Sequence, residues 1–219
     1  HSTDAQTWTG ISLTRINGND HVVHGGITYA DGKYVLSGYY YDDSNILTPF
    51  VYYSTDAQTW TAVSLTRING NNHEVRGGMT YGDGKYVLSG YYHDGTAWTP
   101  FVYYSTDAIN WTGVSLTRIN GDTHHVDGGI TYADGKYVLS GNYDDGNNIR
   151  TPFVYYSTDA QTWTSVSLTR INGNDHVVHG GITYADGKYV LSGYYDDGTA
   201  ETPFVYYSTD AQTWTSVSL

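Results

Sequence analysis

The chain has 219 residues, no cysteine and a net charge of −12, with 22 acidic against 10 basic side chains. Without thiols there is no disulfide framework, thiolate nucleophile or zinc–thiolate site. The charge argues against nucleic acid and anionic membrane surfaces, which both select clustered Lys and Arg. No apolar run approaches the roughly 18 residues that would span a bilayer.

In chain order, residues 1–14 are a spare N-terminal piece, and the chain starts in mid-repeat at His1-Ser2-Thr3-Asp4 like a mature product or an excerpt. Four near-identical units follow, at 15–65, 66–116, 117–168 and 169–219. Ser-Thr-Asp-x-x-x-Trp occurs five times, with Asp at 4, 56, 107, 159 and 210, so the spacings are 52, 51, 52 and 51. Each unit predicts four short strands. In the first they run over residues 26–30, 33–40, 50–54 and 59–65. Asp31-Gly32 is a two-residue hairpin signal between the first pair. A polar loop ending at Thr48-Pro49 joins the second pair, and Asp56-Ala57-Gln58 turns the third strand into the fourth. With 24 Tyr, many Val and Ile, and only 4 Pro, the chain is suited to pleated, half-buried surface. The expectation is an all-β fold: a β-propeller of four-stranded antiparallel blades, one per repeat of 51–52 residues.

The hairpin Tyr-Ala-Asp-Gly-Lys-Tyr-Val-Leu-Ser-Gly, followed by Val-Tyr-Tyr-Ser-Thr-Asp-Ala-Gln-Thr-Trp-Thr, resembles the Asp-box repeat of bacterial neuraminidase-type propellers, and above all short tandem extracellular bacterial repeats. The usual box has a Gly in the turn where this chain has Ala57-Gln58. The resemblance implies a structural turn. Its Asp (Asp4, Asp56, Asp107, Asp159, Asp210) would bind backbone amides, and its Trp (Trp8, Trp60, Trp111, Trp163, Trp214) would pack buried between sheets.

Comparing the units with one another separates scaffold from variable surface. The two hairpin turns are nearly fixed. The loops at 39–47, 91–98, 142–150 and 194–201 vary, as does the start of strand one at 22–24, 74–76, 125–127 and 177–179. In an up-and-down blade both variable places emerge at one end. Variable loops on one face of a rigid scaffold are how binding surfaces are built. The candidate ligand contacts are Tyr40, Tyr41, Asp42, Asp43, Tyr92, His93, Trp98, Tyr143, Asp144, Arg150, Tyr195 and Asp196. Tyr beside Asp and Asn suits glycan or protein recognition.

His21, His73, His124 and His176 recur once per unit. A ring of imidazoles could hold a transition metal, but a residue repeated in every blade reads first as serving the blade, so no metal and no cofactor is assigned. Arg15, Arg67, Arg118 and Arg170 recur likewise, and the Asp-Asp loops read as turns rather than calcium ligands. A sialidase site is asymmetric, whereas only Arg150, Glu74 and Glu201 stand out as unique charges. The sequence therefore points away from an enzyme. It points to an extracellular or cell-surface binding scaffold for a glycan or protein, with a structural repeat of a surface layer or filament and a degenerate sialidase-like hydrolase as alternatives. Five copies of strand four against four of strand one predict self-association through an unpaired terminal strand.

Overall fold

A computed structural model describes residues 1–219, which form strands and turns with no helix. Blade 1 comprises β1 (His21–Ala30), β2 (Lys33–Tyr41), β3 (Leu47–Ser54) and β4 (Thr61–Ser64). Blade 2 comprises β5 (His73–Gly82), β6 (Lys85–His93), β7 (Trp98–Ser105) and β8 (Thr112–Ser115). Blade 3 comprises β9 (His124–His125), β10 (Ile130–Ala133), β11 (Lys136–Asp144), β12 (Arg150–Ser157) and β13 (Thr164–Ser167). Blade 4 comprises β14 (His176–Ala185), β15 (Lys188–Asp196), β16 (Glu201–Ser208) and β17 (Thr215–Ser218). Within each blade the strands pair antiparallel in sequence order, which is the propeller arrangement.

Local chemistry sets these hairpins. Asp31 and Gly32 both have positive φ, 47° and 71°, the backbone of a type I′ turn, and the other three units repeat it. The first strand is longer than the sequence suggested. It begins at His21 and passes through an irregularity between Val23 and Ile27, where the Gly25-Gly26 pair lies. In blade 3 the same irregularity splits the strand into β9 and β10, both paired with β11. At the next turn, Asp56 Oδ1 accepts backbone N–H bonds from Gln58 and Thr59 at 2.8 and 2.7 Å. Those amides favour the carboxylate and hold its pKa down at about 2. Ala57 takes the left-handed conformation there, φ 58°, where a glycine would be unstrained.

The core lies between blades. Val87, Val102 and Leu116 of blade 2 pack with Tyr137, Leu139 and Phe153 of blade 3 in one buried cluster. The junctions of blades 1 with 2 and 3 with 4 repeat it with equivalent residues. Fully burying a side chain such as Phe153 contributes about 1.5–3 kcal/mol, so three such junctions carry the fold. The first strands face one another across the axis, β1 on β5, β5 on β10 and β10 on β14. Approach is close there: a Cβ on Gly77 would lie 2.6 Å from Val126 Cγ1.

Two expectations need correcting. Residues 1–14 form no strand. The repeat tryptophans are not fully buried. Trp60, Trp111, Trp163 and Trp214 sit half-buried at the margins of the clusters, and Trp8 is 70% exposed.

Candidate functional site at the axial mouth

At the end of the blades where the variable loops emerge, the first two strands bring the blade-specific residues together. Register pairs Glu74 with Tyr91 and His125 with Asn142, while the equivalent pairs in blades 1 and 4 are Val22–Tyr39 and Val177–Tyr194. Alternation along β5 puts Glu74 and Arg76 on one face of the strand. Arg76 Nε donates to Glu74 Oε2 at 2.6 Å, and the Tyr91 hydroxyl donates to the same oxygen at 3.5 Å. The Arg76 guanidinium also reaches the hydroxyl of Tyr39 in blade 1. Tyr91 meets His125 of blade 3 edge-on, with ring centroids 4.9 Å apart, and Trp98 at 5.3 Å. One polar and aromatic chain therefore runs across blades 1, 2 and 3.

Next to it, His125, Asp127, Asn142, Asp144, Arg150, Val177 and His179 line a cavity of about 230 Å³ between blades 3 and 4. Burial lowers the His125 pKa, and the Asp127 carboxylate partly opposes this. Burial, then the Glu74 charge, pushes Tyr91 well above the usual phenol range. A Tyr–Glu pair with an adjacent Arg is present, but this phenol is buried and strongly biased to its neutral form at neutral pH. Such a group donates a hydrogen bond better than it attacks as a phenolate.

Among the expected contacts, Asp144 and Arg150 line this cavity, Trp98 packs edge-on against Tyr91, and His93 packs edge-on against Trp98. Tyr41 and Asp43 are exposed on the blade 1 loop, away from the cluster, and Asp196 is exposed on the blade 4 loop. Asp42 is a loop anchor: it accepts backbone bonds from Ser44 and Ile46 and pairs with Arg67 at 2.5 Å. Tyr40, Tyr92, Tyr143 and Tyr195 must be removed from the ligand surface. All four are buried, with hydroxyls bonded to Ser64, Ser115, Ser167 and Ser218, because alternation puts them on the opposite face of the strand from Tyr39, Tyr91, Asn142 and Tyr194.

Sequence reasoning flagged the start of strand one as variable but did not single out Arg76, His125, Asp127 or His179. The available signal was the alternation in Glu74-Val75-Arg76 and His125-Val126-Asp127, where an invariant Val is flanked by two residues that depart, in blades 2 and 3 alone, from the Val and His that blades 1 and 4 share.

The four recurrent histidines hold the blade connections. Nε2 of His73 accepts the Ile68 N–H at 3.0 Å, and Nδ1 lies 2.9 Å from the Asn71 carbonyl, so it carries the proton. His21, His124 and His176 repeat both contacts, and each ring stacks on its blade's Tyr. With both nitrogens engaged, neither is free to ligate a metal.

No protein-family model and no curated protein matches the chain. Solved structures share its fold. A Hadza microbial sialidase aligns with TM-score 0.65 at 14% identity, over 88% of this chain and 45% of that one. Sucrose-6-phosphate hydrolase from Lactobacillus gasseri aligns with TM-score 0.58 at 14% identity, over 90% and 46%. A thermostable family-43 glycoside hydrolase aligns with TM-score 0.54 at 14% identity, over 94% and 75%. The chain thus spans about half the length of the first two. The expectation that it is no enzyme is corrected by this comparison, since the solved propellers it resembles are glycoside hydrolases. The physical reason is visible at the axis: a symmetric repeat does carry an asymmetric cluster, because a few substitutions per blade converge there.

Proposed function

We propose that this chain is a carbohydrate-acting propeller that holds a saccharide in the axial cleft over blades 2, 3 and 4. The observation that carries the reading is the convergence of blade-specific residues in an otherwise near-identical repeat. Glu74, Arg76, His125, Asp127, Asn142 and Arg150 meet around Tyr91 and the 230 Å³ cavity. Carboxylates and guanidinium groups can bind vicinal hydroxyls in pairs, and aromatic rings offer their faces and edges to sugar C–H groups. The cavity suits one or two sugar rings better than a protein surface.

A glycan array followed by calorimetry tests the reading. Asp127→Asn and Arg150→Ala should each weaken saccharide binding about tenfold or more, the loss of one charge-assisted hydrogen bond to the sugar. Absence of saccharide binding to the unaltered chain would reject it. A second reading, hydrolysis of the glycosidic bond, is favoured by the two acidic side chains Glu74 and Asp127 at one mouth, since glycosidases work with a carboxylate pair. Release of fluorophore from aryl glycosides, abolished by both Glu74→Gln and Asp127→Asn, distinguishes turnover from binding.

A further inference from the structure

Three contacts recur at every junction between blades, and each is left half-made at the two ends of the chain. The first is ionic. Arg67, Arg118 and Arg170 pair with Asp42, Asp94 and Asp145 of the preceding blade at 2.5, 2.7 and 2.7 Å. The fourth arginine, Arg15, bonds only the Gly18 carbonyl, lies 3.9 Å from Asp20 and has a side chain 56% exposed. The fourth aspartate, Asp197, accepts from Thr199, Ala200 and Thr202 and has no arginine. The second contact is a hydrogen bond. Tyr86, Tyr137 and Tyr189 donate their hydroxyls to the carbonyls of Ala30, Gly82 and Ala133 of the preceding blade. The equivalent donor is Tyr34 in blade 1 and the equivalent acceptor is Ala185 in blade 4, and neither makes this bond.

The third contact is apolar. Leu65, Leu116 and Leu168 are 3% exposed at the junctions, whereas Leu219 of blade 4 is 70% exposed. On the receiving side Val75, Val126 and Val178 are fully buried, whereas Val23 of blade 1 is 52% exposed. The free face of blade 4 therefore carries the half of a junction that accepts these polar contacts and inserts the leucine, and the free face of blade 1 carries the half that donates them.

We propose that a second copy of this chain supplies both missing halves. Blade 4 of each copy docks on blade 1 of the other, Asp197 and Thr202 receive Arg15, and the Tyr34 hydroxyl reaches the Ala185 carbonyl. The contact is head to tail, and it closes after two copies into a ring of eight blades, within the four to eight that propellers adopt. Residues 2–13 repeat residues 208–219 and lie over the blade 1 face, where Trp8 and Ile11 line a cavity of about 600 Å³ with Ile27, Leu36 and Trp60. This segment swings aside when the incoming β17 takes its place.

Sedimentation equilibrium of the 219-residue chain at micromolar concentration tests the pairing. The expected mass is twice 24.2 kDa. Arg15→Asp and Asp197→Arg should each raise the dissociation constant about tenfold or more through like-charge contact, and the double variant should regain the affinity because its charges are exchanged. Arg15 and Asp197 are surface side chains in the single chain, so unchanged circular dichroism checks that each variant folds. A monomer throughout, a ladder of masses above the pair, unaltered affinity of the single variants or failure of the double variant to recover would each overturn the proposal. Addition of Asp127→Asn leaves this equilibrium unchanged, which separates it from saccharide binding.

Discussion

Lowering the pH from 7 to 5 should remove a large part of the stability of the fold while the turn carboxylates stay ionised. His73 and His124 are wholly buried, and burial holds their pKa values down at about 4. His176 is shifted in the same direction by the same cause. The folded value lies below the unfolded one, so the unfolded chain takes up protons first as the pH falls. The stability is fully present above about pH 6.5 and is lost between there and about pH 4. At pH 5 an unfolded imidazole is almost fully protonated and a folded one about a tenth protonated. The loss relative to pH 7 is therefore about 2 kcal/mol per group, or about 4 kcal/mol for His73 and His124 together. Asp56, with its pKa near 2, keeps its own contribution to stability above about pH 4 and loses it only between there and about pH 2, so the two losses occupy separate windows. Protonation also places a hydrogen on Nε2, which accepts the Ile68 and Ile119 N–H groups, so the charged form cannot keep that bond. Urea unfolding followed by tryptophan emission at both pH values reads the change. The midpoint should fall by about 1 M or more for an m-value of a few kcal/mol/M, and the His73→Gln/His124→Gln double variant should show a much smaller fall. Equal midpoints at pH 7 and 5, or an undiminished fall in the double variant, would refute the reasoning.

Ala57→Gly should stabilise the chain by up to about 1 kcal/mol, because it relieves a left-handed alanine, and Ala57 is only half-buried. Ala160→Gly at the equivalent turn should gain less, since its fully buried methyl is lost at about 0.8 kcal/mol. Thermal melts of the two variants make the comparison. Gly141→Ala should destabilise by about 3 kcal/mol, the upper end for overpacking, because its Cβ would lie 2.0 Å from the His125 carbonyl oxygen and 2.7 Å from the Phe153 ring; denaturant titration reads the loss. Trp8→Phe should remove the most acrylamide-quenchable emission, as Trp8 is 70% exposed and the other repeat tryptophans are half-buried.

The blade was legible because its signals are local. Asp31-Gly32 prescribes its own turn, and period-two alternation prescribes the strands around it. The junctions were less so. Leu65 and Val75 lie in different units, and nothing local to either says that they meet. The ligand surface was read one residue out of phase at Tyr40, where a run of three tyrosines hides which of them faces inward. Tyr39 and Tyr40 are both buried and only Tyr41 emerges. Arg67 looked like a recurrent charge without a role because its partners, Asp42 and Thr48, belong to the loop of another unit.

The apolar clusters join only neighbouring blades, so the molecule behaves as a short one-dimensional stack. Blades 2 and 3 are held on two sides and blades 1 and 4 on one. Opening should therefore begin at the termini and travel inward, and amide protons of β6 and β11 should outlast those of β2 and β15 in deuterium exchange. In a closed ring of two copies every blade would have two neighbours, and that gradient would flatten.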